Sequence, residues 1–136
     1  MTERGSITTE VTLIVPALLC LLLLVVIAGR VAGARNALVA VARDAARAAS
    51  LETDPQQAYV AAERLAREAL SGTECAEAEV KASVRPGSDG HMRGGVAVVE
   101  VHCNAAISDL ALLSLPGSVD IHANGTEVID RYQSAP

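Results

Sequence analysis

Few side chains in this sequence have the chemistry for a reaction or a metal: three cysteines, Cys20, Cys75 and Cys103; three histidines, His91, His102 and His122; and Glu10, a carboxylate at the threshold of an apolar run. Cys75 or Cys103 with one of the histidines would be the nucleophile and base of a thiol enzyme, yet no local signature surrounds either cysteine. His102, beside Cys103, could join Cys75 and His122 as metal ligands, but no C-x-x-C or H-x-x-x-H spacing supports that set. "PGSDG" and "RGG" are turn sequences without the Lys-Ser/Thr and following helix of a phosphate-binding loop, and G-x-S-x-G is absent. The expectation is a chain that is not an enzyme, with no catalytic residue, metal or cofactor.

The elements around the two downstream cysteines give them a different use. "EAEVKASVR" alternates, with Ala78, Val80, Ala82 and Val84 on one face and Glu77, Glu79, Lys81, Ser83 and Arg85 on the other, as in a half-buried strand. After the glycine-rich "PGSDGHMRGG", the run "VAVVEVHC" reads as its hairpin partner. Cys75 precedes the first strand and Cys103 ends the second, so folding the hairpin brings both to one end of the sheet. A disulfide there would close a loop of about 29 residues, stabilise by roughly 3 to 4 kcal/mol, and require an oxidising compartment. Two free buried thiols are the alternative. Cys20 has no partner in this chain and reads as a lipid-facing or helix-packing thiol. Further on, "VDIHA" and "TEVIDRY" flank Asn124-Gly125, which is either a tight turn between two strands or an irregularity in one. "SDLALLSLPG" is either a helical turn capped by Ser108 or an apolar loop.

The chain has 136 residues, 51% of them apolar, with two Tyr and no Phe or Trp, so any core is built from Ala, Val, Leu and Ile. A net charge of −5, with scattered basic residues, argues against nucleic acid as a partner. From Val11 to Gly29 no residue is charged. As a helix this run is about 28 Å long, enough to span a bilayer. Pro16 near its start would produce a mild kink. The helix continues through "VAGARNALVAVARDAARAAS" to about Ser50. Ala37, Ala40, Ala45 and Ala48 would let another helix approach closely, or would pack on the chain's own domain. Arg43 and Arg47, with Asp44, read as a solvated stripe. A second helix follows, with Asp54 as N-cap, Pro55 at its first position, Ser71-Gly72 as its stop, and Ala58, Ala62, Leu65 and Ala69 as its apolar face.

Glu10 decides among the readings of the apolar run. A signal peptide cut near Ala32–Ala34 would have a shorter apolar stretch and would avoid an acid at that position. A plain signal anchor also leaves Glu10 unexplained. Gly5, Ser6 and Glu10 in "RGSITTEV", directly before the apolar run, resemble the class III signal of type IV pilin-like proteins, cut by a prepilin peptidase after the glycine. Counting from Ser6, Glu10 is fifth, as in that family; Val11 stands where the family often has Phe. The proline in "TLIVPALL" and the downstream "ARDAARAAS" most resemble the TadE-like pseudopilins of bacterial tight-adherence (Flp) pilus systems, over about residues 4 to 50.

The resemblance implies a leader at 1–5, an assembly helix with its extracytoplasmic extension at 6–50, and a small extracytoplasmic domain at 51–136. The fold class expected is α+β: a long N-terminal transmembrane helix followed by a small helix and an antiparallel β-sheet. It implies a structural role in a pilus or related secretion machine, with a prepilin peptidase, other pilin-like subunits, inner-membrane assembly proteins and membrane lipid as partners. Glu10 would meet a neighbouring subunit's amino terminus and set register, because a carboxylate in apolar surroundings is costly unless paired. Counting Arg4 against Arg30 and Arg35 would put the C-terminus in the cytoplasm. The resemblance implies the reverse, N-terminus inside and the rest outside a single-pass cytoplasmic-membrane anchor, and a disulfide agrees with it. The rival readings are an uncut, membrane-anchored binding module that uses residues 86–94 and, more remotely, a domain secreted after Ala34.

Overall fold

The computed structural model describes residues 4–73, 75, 77–88, 90–106, 116–130 and 132, without the side chains of residues 4–10 and 13. Helix α1 is Arg4–Ser50, with Pro16 inside it, and helix α2 is Pro55–Leu70. Three strands follow, β1 Glu79–Arg85, β2 Val96–Ala106 and β3 Ser118–Val128. They form one antiparallel sheet in the order β1-β2-β3, so the expected α+β class is the one observed.

Local sequence explains the helix boundaries. The Asp54 side chain accepts a hydrogen bond from the Gln57 backbone N–H at 3.2 Å, and Pro55 follows at the first position, where its missing N–H costs nothing. At the other end the Ser71 and Thr73 hydroxyls donate to the Glu68 and Leu70 carbonyls at 2.7 Å each, and Gly72 takes φ +78°. Arg67 meets Glu63 at 2.8 Å, an exposed pair worth a few tenths of a kcal/mol.

Both helices cover one face of the sheet. Residues Leu38, Ala42, Ala45, Ala46 and Ala49 of α1 are buried with Ala58, Ala62, Ala66 and Leu70 of α2 over Val80, Ala97, Val99, Val101, Ala105, Ile121 and Ala123. The apolar face of α2 thus differs from the sequence expectation: Ala69 is exposed and Leu65 half-buried, while Ala66 and Leu70 are inside. Its buried residues recur every four positions, as do Leu38, Ala42 and Ala46 of α1, because the i±4 rows are the ridges that helices pack into each other's grooves. Of the alanines on α1 that could serve a neighbouring helix, Ala45 is in this core, Ala48 is half-buried, and Ala37 and Ala40 are exposed. Arg43, Asp44 and Arg47 are exposed, as expected.

Asn124-Gly125 is no turn. β3 runs unbroken, with Val99 opposite Gly125 in a continuous register. A side-chain carbon at Gly125 would fall on the Ala42 carbonyl, so the glycine is there to let α1 lie directly on the sheet. This close approach is how a core without large aromatics fills its space. Ala42 at Gly125, and Ala49 beside Val84, Pro86 and Met92, show that α1 and β3 run in the same direction. The 86–95 connection therefore lies at the end of the sheet away from the apolar run of α1. Backbone bonds tie it to the chain beyond β3, Gly94 N–H to the Ile129 carbonyl at 3.0 Å and Ile129 N–H to the Gly95 carbonyl at 2.9 Å. The "SDLALLSLPG" segment lies outside the described residues up to residue 115.

Candidate functional site: the projecting helix and the disulfide end of the sheet

The described residues of α1 between Val11 and Val26 are all exposed; Leu24, for example, is 64% exposed. The first fully buried residue is Leu38, at 1%, with Val31 and Ala34 partly packed before it. Some 20 residues of apolar helix, about 30 Å, thus stand clear of the domain. Among the described residues this is the one helix long and apolar enough to cross a membrane. Exposing so many large apolar side chains to water would be unfavourable by roughly 25 cal/mol per Å², so the segment needs an apolar environment, lipid or other helices. Cys20 is exposed on it. Gly29 and Gly33 form a G-x-x-x-G pair, and a side-chain carbon at either would meet nothing within 4 Å, so among the described residues nothing packs closely on it.

The backbones of Gly5, Ser6 and Glu10 belong to α1, while their side chains lie outside the described residues. Cys75 and Cys103 are joined in a disulfide, with Cα atoms 5.3 Å apart, at the end of the sheet nearer the apolar run. The cross-link anchors the chain between α2 and β1 to the central strand. It also answers the metal alternative of Cys75, Cys103, His102 and His122: both sulfurs are oxidised and Cys103 faces the helices, whereas neighbouring strand residues such as His102 face the other way. Sequence reasoning missed that His102 and His122 are register partners, with ring centroids 6.0 Å apart. The spacing of "VAVVEVHC" and "VDIHA" puts each histidine on its strand's open face, but only the register brings them together. Among the described residues no polar or charged side chain is buried, so ionisable chemistry lies on the surface.

A cleft of about 340 Å³ lies between the ends of α1 and β1 and the start of α2, walled by Ala49, Pro55, Tyr59, Val84, Pro86 and Met92. It sits at the end of the domain farther from the apolar run. No curated protein and no solved structure matches the chain. Residues 5–47, from the glycine before Ser6 to the buried part of α1 and about a third of the chain, match the family model of TadE-like proteins, so it is this N-terminal segment that is similar to that family.

Proposed function

We propose that this chain is a minor pseudopilin, or pilus-assembly subunit, of a tight-adherence (Flp) pilus or related secretion system, processed by a prepilin peptidase after Gly5. The observation that carries the reading is the TadE-like match, which starts at residue 5 and so includes the glycine, Ser6 and Glu10 together with the projecting helix. The helix supports it physically. A bare apolar rod on a small disulfide-closed domain can be held in the cytoplasmic membrane and then packed against the helices of other pilin-like subunits. In that packing Glu10 meets the amine of a neighbouring subunit, and the domain stands on the extracytoplasmic side, where the disulfide forms.

The alternative, an uncut membrane-anchored binding module, draws on the cleft walled by Tyr59, Pro86 and Met92 at the outer end of the domain. The N-terminus separates the two. Protein isolated from native membranes is expected to begin at Ser6, with an intact mass that rises by two hydrogens on reduction. A chain that begins at Met1 in cells with an active prepilin peptidase would overturn the pseudopilin reading and favour the anchored module. Glu10→Ala is expected to spare cleavage and impair assembly, and normal assembly by that variant would remove the register role.

A further inference from the structure

We propose that His102 and His122 chelate one divalent transition-metal ion of the borderline class, copper(II), nickel(II) or zinc(II), on the open face of the sheet. The two residues are directly opposed in the β2–β3 register, and their rings lie 6.0 Å apart between centroids with 26° between planes. Imidazoles bound to one ion through nitrogens at about 2.0–2.1 Å have centroids about 5 Å apart, so a closure of about 1 Å by side-chain rotation suffices. The strands need not move. His122 is exposed and His102 half-buried, so the ion can enter from solvent.

The surroundings suit a cation. Glu79 is the register partner of His102 on β1, Glu100 lies next to the pair on one side with Asn124 opposite it, and Asp120 lies on the other side opposite Asn104. Against these three carboxylates stands Lys81, held by Glu79 at 3.0 Å with both side chains more than 60% exposed, a contact that costs little to open. Both cysteines of the domain are in the disulfide, so the donors available are imidazole and oxygen, which favour copper(II) over nickel(II) and zinc(II). Among the described residues no three such side chains converge as a ready-made ligand set. Water, or Glu79 after a rotamer change, completes the coordination of a two-imidazole chelate. Bound there, the ion clips β2 to β3 on the face opposite α1 and α2.

The test is a copper(II) titration of the full-length chain in detergent micelles, in a Cys20→Ser background that removes the free thiol. One ion per chain is expected, with a paramagnetic resonance spectrum showing coupling to two ring nitrogens. His102→Gln and His122→Gln should each weaken binding by about 10²-fold, since each turns a chelate into a single ligand, whereas His91→Gln should not. No saturable binding at millimolar copper(II), or binding equally strong in both strand variants, would overturn the proposal. The nitrogen coupling is read on the unaltered histidines, so a spectrum without two nitrogens overturns it even if a variant fails to fold.

Discussion

Gly125 shows at the scale of one residue how this light core holds together. A glycine inside a strand ordinarily costs stability, and replacing it with alanine in open space would gain roughly 0.5–1 kcal/mol. Here the added carbon would land on the Ala42 carbonyl of α1, and backbone cannot move aside as a flexible side-chain end can. The sign therefore reverses. Gly125→Ala is expected to destabilise the protein by about 1–3 kcal/mol, the range for overpacking, as a lower midpoint in denaturant. An unchanged or raised midpoint would mean that α1 does not lie on β3 as described. Gly95 is similarly enclosed, by the Arg85 and Met92 carbonyls, which fixes the entry into β2.

Among the elements, the disulfide and the hairpin it closes have the largest separable effect. The sheet has three strands, with one face against two alanine-lined helices, and the largest side chains almost wholly buried are Leu38, Ile129, Val99 and Val101. The bridge spans a sequence separation of 28, so its loss should cost roughly 3–4 kcal/mol in the chain-entropy view. Cys75→Ser with Cys103→Ser, or reduction of the native chain, is expected to lower the denaturant midpoint accordingly; a midpoint that does not shift would show that the loop is already restrained in the unfolded chain. Much at this scale was legible in the sequence. The alternation of "EAEVKASVR", the Asp54-Pro55 start of α2 and the uninterrupted helix-forming run to Ser50 are local signals, and local interactions determine them. Of the four-residue row Ala58, Ala62, Ala66, Leu70, the first two were legible and the last two were not, because which residues of the final turns face inward depends on the ridge geometry of α1. The sequence also left undecided whether one strand runs through Asn124-Gly125, and the structure shows that it does. A favoured turn dipeptide was overridden by a contact with Ala42, some 80 residues earlier in the sequence. For the candidate site, residue order carried Gly5, Ser6 and Glu10, while the histidine pair depended on strand register.

The whole molecule is a rod with a domain attached along its outer part. Leu38, the first residue of α1 fully in the core, is nine positions beyond Gly29, about 13 Å along the helix, so a spanning α1 leaves the domain close against the bilayer surface. Because α1 and β3 run in the same direction, the start of β3 and the Cys75–Cys103 bridge lie on the bilayer side, and the 86–95 connection with its neighbouring cleft lies on the outer side. Ten residues of strand separate Ser118 from Val128, about 34 Å at 3.4 Å each, so the two ends of the sheet should differ in depth by a comparable distance when the helix stands near the membrane normal. Spin labels at Ser118→Cys or Ser88→Cys, in a Cys20→Ser background reconstituted in lipid vesicles, measure this through relaxation by a paramagnetic ion held at the headgroups. Strong relaxation at 118 and little at 88 is the expected outcome. Equal relaxation at both sites would mean that the helix lies along the membrane surface, and the reverse order would mean that the outer cleft faces the lipid, where it could not receive a partner from outside.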